Sequence, residues 1–223
     1  MSMNDKSIAI IDCSINTPSI VCFNRMQMAS PIKLTYHHAS KFGLESLKMA
    51  PANGYVILGS YSNVEDRYPW QRDLAGFAEE KLKQGTPVMG VCFGHQLMAD
   101  RFGCWIEPNS EDRKTSFEGT RKIEIKTNRF GIEPKQTELF VAHKFQIKKL
   151  SDQIEVIATS EDCPYDGIQH KTLPFVGFQA HPEGSTTFAR ESILTALDQK
   201  KLSTGMENGL ALMLDYFRFV DNL

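Results

Sequence analysis

The sequence predicts an α/β protein: a mostly parallel central sheet flanked by helices, with additional antiparallel strands at one side. Three observations lead there. Short apolar runs alternate with helix-spaced stretches through the first hundred residues. Later strand-like runs follow one another closely, separated by turn residues. Between the two parts lies a strand-to-helix turn pinched by glycines around a cysteine, Gly90-Val91-Cys92-Phe93-Gly94.

The elements follow in order. Ser7 to Ile11 reads as a buried first strand, Pro18 to Met28 as helical, Ile32 to Tyr36 as a second strand and Tyr55 to Leu58 as a third. Trp70 to Gln84 is the clearest helix of this part. Leu74, Phe77, Ala78 and Leu82 line one face, Pro69 starts it and Gly85 stops it. Pro87-Val88-Met89 is a short buried strand, and Phe93 to Phe102 is a helix ended by Gly103. Lys122 to Lys126, Thr137 to Val141, Ile154 to Thr159, Gly167 to His170 and Val176 to Ala180 read as strands. Phe188 to Leu197 and Met206 to Val220 are the closing helices. The polar loop Glu107 to Ser116 follows the cysteine's helix and is expected to be mobile and to cover the site.

Composition bounds the function. The chain has 223 residues, 41% hydrophobic and 23% charged, which suits one soluble globular domain over 1–223. A net charge of −2 and isolated basic pairs (Lys148-Lys149, Lys200-Lys201) give no reason to expect nucleic acid or an anionic membrane as partner. Five cysteines without a disulfide or zinc spacing, and an N-terminal apolar run too short for a signal or a span, point to the cytoplasm. His37-His38 lack partners at ligand spacing, so neither metal nor cofactor is expected.

Chemistry concentrates in two places. Gly-x-Cys-x-Gly is the thiol counterpart of a nucleophile elbow, with a helix N-terminus that favours the thiolate. A lone cysteine in an apolar stretch is otherwise a small core residue. The second place is Gln179-Ala180-His181-Pro182-Glu183-Gly184, at the end of the last expected strand. His181 and Glu183 are two apart, so in an extended segment they leave on one side. A histidine there can take the thiol proton while a carboxylate fixes its tautomer.

With both motifs in view, the sequence resembles the class I, triad-type glutamine amidotransferases. Gly90, Cys92, Gly94 and Gln96, then His181, Pro182 and Glu183, match the family signature, and the likeness runs from about Ser7 to Thr187. The resemblance implies a flavodoxin-like fold with Cys92, His181 and Glu183 catalytic, a γ-glutamyl thioester, and release of ammonia and glutamate. It also implies an oxyanion hole from the backbone N–H of Phe93 and the turn Gly59-Ser60, worth roughly 3–4 kcal/mol per donor. The family's usual Gly-Gly is Gly-Ser here. Gln96 matches a substrate-glutamine contact, Glu118-Gly119 and His143 fall loosely at substrate-side or lid segments, and His95 is read as structural.

No ATP-binding fingerprint is present, so a complete amide-forming synthetase is not expected, and the resemblance implies a synthetase partner that could accept the ammonia. The segment Val64-Glu65-Asp66 to Tyr68-Pro69-Trp70 resembles a stand-alone subgroup close to the amidotransferase part of GMP synthetase. Hydrolysis of a γ-glutamyl peptide by the same triad is the alternative. A non-catalytic interaction protein would have no chemical reason to keep all three residues.

Overall fold

The computed structural model describes residues 6–193 and 197–223. Nine strands form one sheet in the order β2-β1-β3-β4-β11-β10-β9-β6-β7. The first five are mutually parallel: β2 (Lys33–His38), β1 (Ser7–Asp12), β3 (Gly54–Ile57), β4 (Val88–Val91) and β11 (Phe175–Phe178). The other four continue it antiparallel: β10 (Gly167–His170), β9 (Ile154–Thr159), β6 (Phe117–Ile125) and β7 (Gln136–His143). β5 (Trp105–Pro108) and β8 (Phe145–Lys149) pair as a separate two-stranded sheet.

Side-chain alternation explains the layers. In β1, Ile8 and Ile10 pack on one side, with Met26 of α1 (Ile20–Ala29) and Leu212, Met213 and Tyr216 of α7 (Gln199–Asp221). Ala9 and Ile11 face the other side, against α2 (Ala39–Phe42), α3 (Glu45–Met49), α4 (Pro69–Lys83) and α5 (Phe93–Arg101). A parallel strand buried on both faces is apolar along its buried length, as β3, β4 and the Ile8 to Ile11 run of β1 are; the buried Asp12 ends β1.

Several boundaries differ from the sequence reading for local reasons. β6 begins at Phe117 rather than Lys122, because Phe117 to Arg121 pair with His143 to Leu139. α7 begins at Gln199, seven residues before Met206, since the Asp198 carboxylate caps it by accepting from Lys201 N at 2.8 Å. α6 (Thr186–Ser192) starts behind the Ser185 cap and ends before Ile193, and part of its expected span, 194–196, lies outside the described residues. Glu107 and Pro108 belong to β5, so the loop is 109–116, and of it Ser116 borders the cavity at Cys92. That loop is tied down: Asn109 Nδ2 donates to His143 O (2.7 Å), and Arg113 pairs with Glu65 and lies over the Phe145 ring.

Candidate active site

Cys92 stands between β4 and α5 with φ 46° and ψ −99°, a conformation that costs a non-glycine residue about 1–3 kcal/mol. The turn is held by close packing. A Cβ on Gly90 would lie 2.6 Å from the Gly94 carbonyl carbon, and one on Gly94 would lie 2.8 Å from Ile57 Cβ. Both flanking positions therefore require glycine because α5 runs into the backbone of its own turn and of β3. Trp70, at the start of α4, packs its ring 5.5 Å from that of Phe93 and braces the turn from outside.

β11 delivers the second group. His181 Nδ1 lies 2.9 Å from Glu183 Oε1, and both side chains are buried. The other ring nitrogen, Nε2, is buried and makes no well-directed hydrogen bond among the described residues. Burial works against a charged imidazole, but the negative charges of Cys92 and Glu183 outweigh it and hold the His181 pKa well above the ordinary value. Phe188 of α6 packs on the imidazole at 4.5 Å between centroids. From the other side α7 lies close on this segment: a Cβ on Gly209 would sit 3.0 Å from Pro182 Cα.

Gly59 and Ser60 follow β3 at the same sheet end. A Cβ on Gly59 would be 2.7 Å from His181 Cε1 and 3.7 Å from Cys92 Cβ, so this glycine is required for space. Neither Gly59 nor Ser60 has a positive φ. Ser60 therefore carries a side chain without strain, and its Oγ accepts from Ser62 N at 3.0 Å. The departure from Gly-Gly falls on the residue where a Cβ is harmless. Phe93 opens α5, so its N–H has no partner within the helix.

Gln96 lies one turn along α5 and is buried. Its Nε2 donates to Phe145 O (2.7 Å) and to Gln179 Oε1 (3.0 Å), which uses both amide hydrogens. Any contact it makes to a ligand must come from Oε1. Gln179 Nε2 in turn points at Cys92 Sγ, 3.6 Å away. Gln179 escaped the sequence reading although the signal was there: Gln179, His181 and Glu183 are each two apart.

A charged network behind the site was also missed. The Arg121 guanidinium meets Asp166 with Nη2 2.9 Å from Oδ1 and Nε 2.9 Å from Oδ2, both residues buried. Arg121 Nη1 also donates to His143 Nε2 (3.0 Å), whose Nδ1 donates to Phe145 O (3.0 Å). Burial first, and Arg121 second, push the His143 pKa down to about 3, so it is a neutral donor. His95 is fully buried in α5 against Gly177, and burial holds its pKa at about 3 as well. Among the described residues no three His, Cys, Asp or Glu side chains gather as a metal site.

Cys92, Phe93, Gln96, Glu118, His143 and Lys144 line a cavity of about 330 Å³. The Cys92 thiol thus faces a bounded space at the carboxyl ends of parallel strands, where α/β sheets bind ligands.

The glutamine amidotransferase class-I family matches residues 11–197. A glutamine-hydrolyzing GMP synthase subunit from Pyrococcus abyssi is 30% identical over 153 residues, covering 68% of this chain and 77% of that protein. The corresponding GMP synthase subunit from Methanopyrus kandleri is 31% identical over 140 residues, 59% of this chain and 67% of that protein. GMP synthase of Desulfotalea psychrophila is 29% identical over 82% of this chain but only 34% of its own length, so the chain spans about a third of that relative. A glutamine amidotransferase structure from Thermotoga maritima shares the fold, with a TM-score of 0.72, 21% identity and coverage of 97% and 99% of the two chains. The chain belongs to the class-I glutamine amidotransferase family, a family of enzymes.

Proposed function

We propose that the protein hydrolyses the side-chain amide of glutamine through a γ-glutamyl thioester on Cys92. The observation that carries this reading is the left-handed backbone that holds Cys92 at the elbow, close enough to the buried His181–Glu183 pair for its charge to raise the His181 pKa. In this reading His181 takes the thiol proton, hands it to the departing nitrogen, and then activates water. Glu183 holds the imidazole by Nδ1. The N–H groups of Phe93 and of the Gly59-Ser60 turn receive the oxyanion. Within the 330 Å³ cavity, Lys144 suits the α-carboxylate and Glu118 the α-ammonium of a γ-glutamyl group, with Gln96 Oε1 as a further acceptor.

The Pyrococcus and Methanopyrus relatives are GMP synthase subunits, and this supports ammonia passing to a separate synthetase partner. One continuous sheet supports a single amidotransferase domain over 1–223. Five free, buried cysteines suit a cytoplasmic protein, and no helix among the described residues is long and apolar enough to cross a membrane.

A second reading, hydrolysis of γ-glutamyl peptides, is favoured by a further cavity of about 500 Å³ beside His181. The test is product release from glutamine and from glutathione by the wild type and Cys92→Ser. Ammonia from glutamine that disappears in Cys92→Ser is the expected result. Cleavage of glutathione alone would favour the second reading, and unchanged ammonia release by Cys92→Ser would overturn both.

A further inference from the structure

The cavity at Cys92 shares a lip with the larger one. Ser60, Tyr61, Ala142, Glu191 and Ser192 border both. Tyr61 Oη and Ser192 Oγ, 2.9 Å apart, bridge the lip. The inner wall of the larger cavity is Gly59, His181 and Glu183. The outer wall is the turn after β1 and the start of α1, with Asn16, Thr17 and Val21. That turn is fixed by the buried Asp12 carboxylate, which accepts from Ser14 N (2.8 Å) and Ser19 N (2.7 Å).

Its lining is chemically one-sided. Among the described residues no lysine or arginine lines it, and beside His181 the charged lining side chains are Glu183 and Glu191, with Arg25 close behind on Gly184 O. Apolar atoms make up most of the remaining surface, with the hydroxyl-bearing Ser14, Ser19, Ser185 and Thr187 among the polar residues. Glu183 Oε2 is buried with no hydrogen-bond partner among the described residues. Ammonia occupies about the space of one water, roughly 30 Å³. The cavity, at about 500 Å³, is more than ten times larger and lies within the range of small-molecule sites. It also adjoins the imidazole assigned above to proton transfer with the nitrogen.

We propose that this cavity is a subsite for a primary amine, and that the enzyme transfers the γ-glutamyl group to that amine as well as to water. The inference rests on the thioester reading of Cys92. The amine enters as the free base, and its nitrogen attacks the thioester carbonyl carbon. One N–H proton passes to His181 Nε2, the carbon–sulfur bond breaks, and the proton returns to the Cys92 sulfur. The products are an N-substituted γ-glutamyl amide and the free thiol, with no oxidant or further reactant. The reverse path makes the same cavity the seat of a substituted leaving amine. With Glu183 paired to His181 and Glu191 the remaining charged group among the described lining residues, an amine bearing a second positive group is preferred over one bearing a carboxylate.

The experiment offers the enzyme glutamine together with hydroxylamine, 1,3-diaminopropane or glycylglycine, and separates the γ-glutamyl products by mass. Hydroxylamine is small enough to react from the Cys92 cavity, so its hydroxamate reports the thioester alone. The expected result is hydroxamate, plus a γ-glutamyl diamine that saturates with amine concentration and little glycylglycine adduct. In Val21→Trp, which fills the cavity from α1, the ratio of diamine product to hydroxamate falls roughly 10- to 100-fold, as a lost positioning site requires. Hydroxamate without diamine product overturns the subsite and leaves the thioester standing. So does a product ratio unchanged in Val21→Trp, or equal use of glycylglycine. Absence of hydroxamate overturns the thioester reading, and the subsite proposal with it.

Discussion

The parallel strands β2-β1-β3-β4-β11 and the antiparallel strands β10-β9-β6-β7 meet beside the same cavity but hold their side chains by different means. On the parallel side, position comes from backbone crowding. Gly90, Gly94 and Gly59 allow α5, β3 and the His181 ring to approach within distances that a Cβ would forbid. On the antiparallel side, position comes from buried polar groups answering one another, in the sequence Asp166, Arg121, His143, Phe145 O and Gln96. At Gly90 and Gly94 steric positioning depends on neighbours close in sequence or one strand away, and at Gly59 it reaches across β4 to His181. The polar network depends on partners 45, 22 and 49 residues apart along the chain. The first should fail by distortion and the second by uncompensated charge.

Arg121→Met breaks this contrast most severely. It leaves Asp166 buried without its cation, and breaking such a pair costs about 3–5 kcal/mol. Arg121→Met combined with Asp166→Leu should recover much of that loss in denaturant unfolding. If the double variant is as unstable as the single one, charge is not what matters there. Gly94→Ala comes next, costing roughly 1–3 kcal/mol by overpacking against Ile57. It should depress turnover further than stability explains, because the Cys92 turn must shift.

The motif-bearing part of the site was legible for a physical reason. Gly90, Cys92 and Gly94 lie within five residues, and His181 and Glu183 obey the two-residue alternation of an extended chain, so local geometry nearly determines their directions. The Gly-Ser turn could be placed but not judged, since only the backbone angles reveal that Ser60 tolerates its Cβ. Gln96 could be located on α5 but not given its partners, because Phe145 O and Gln179 lie far along the chain. Arg121 and Asp166 carry no motif: the alternation of β6 puts Arg121 on the inward face with Ile123 and Ile125, but nothing local says that Asp166 and His143 answer it. The same holds for β5 and β8, whose pairing follows from their meeting across about 40 residues rather than from either run.

A pH series sharpens the comparison at a smaller scale. The folded state keeps His143 and His95 neutral, each with a pKa of about 3, against about 6.5 unfolded. The unfolded chain therefore binds more protons below pH 6.5, and stability falls as pH drops through the window from about 6.5 to about 3. One unit below 6.5 each histidine removes about 1 kcal/mol. His143→Gln should flatten the slope of denaturation midpoint against pH between 6.5 and 5. His181 acts oppositely. Its raised folded pKa adds stability that is complete below about 6.5 and is lost as pH rises through the folded value. The smallest effect is expected for Ser60→Gly, which relieves no strain and removes only the Ser62 N hydrogen bond. A stability change below about 1 kcal/mol and near-normal turnover should result. A large gain in turnover would mean that Ser60 is strained after all.

The central claim is that the elbow cysteine is acylated, and it can be read directly by quenching the enzyme in acid during turnover with glutamine and mapping the peptides by mass. Acylation predicts a γ-glutamyl mass gain on the peptide carrying Cys92, removed by hydroxylamine and accumulating further in Glu183→Gln, where water activation is weakened. Ammonia released with Cys92 unmodified at every time point, or an adduct on Cys22 instead, would contradict it.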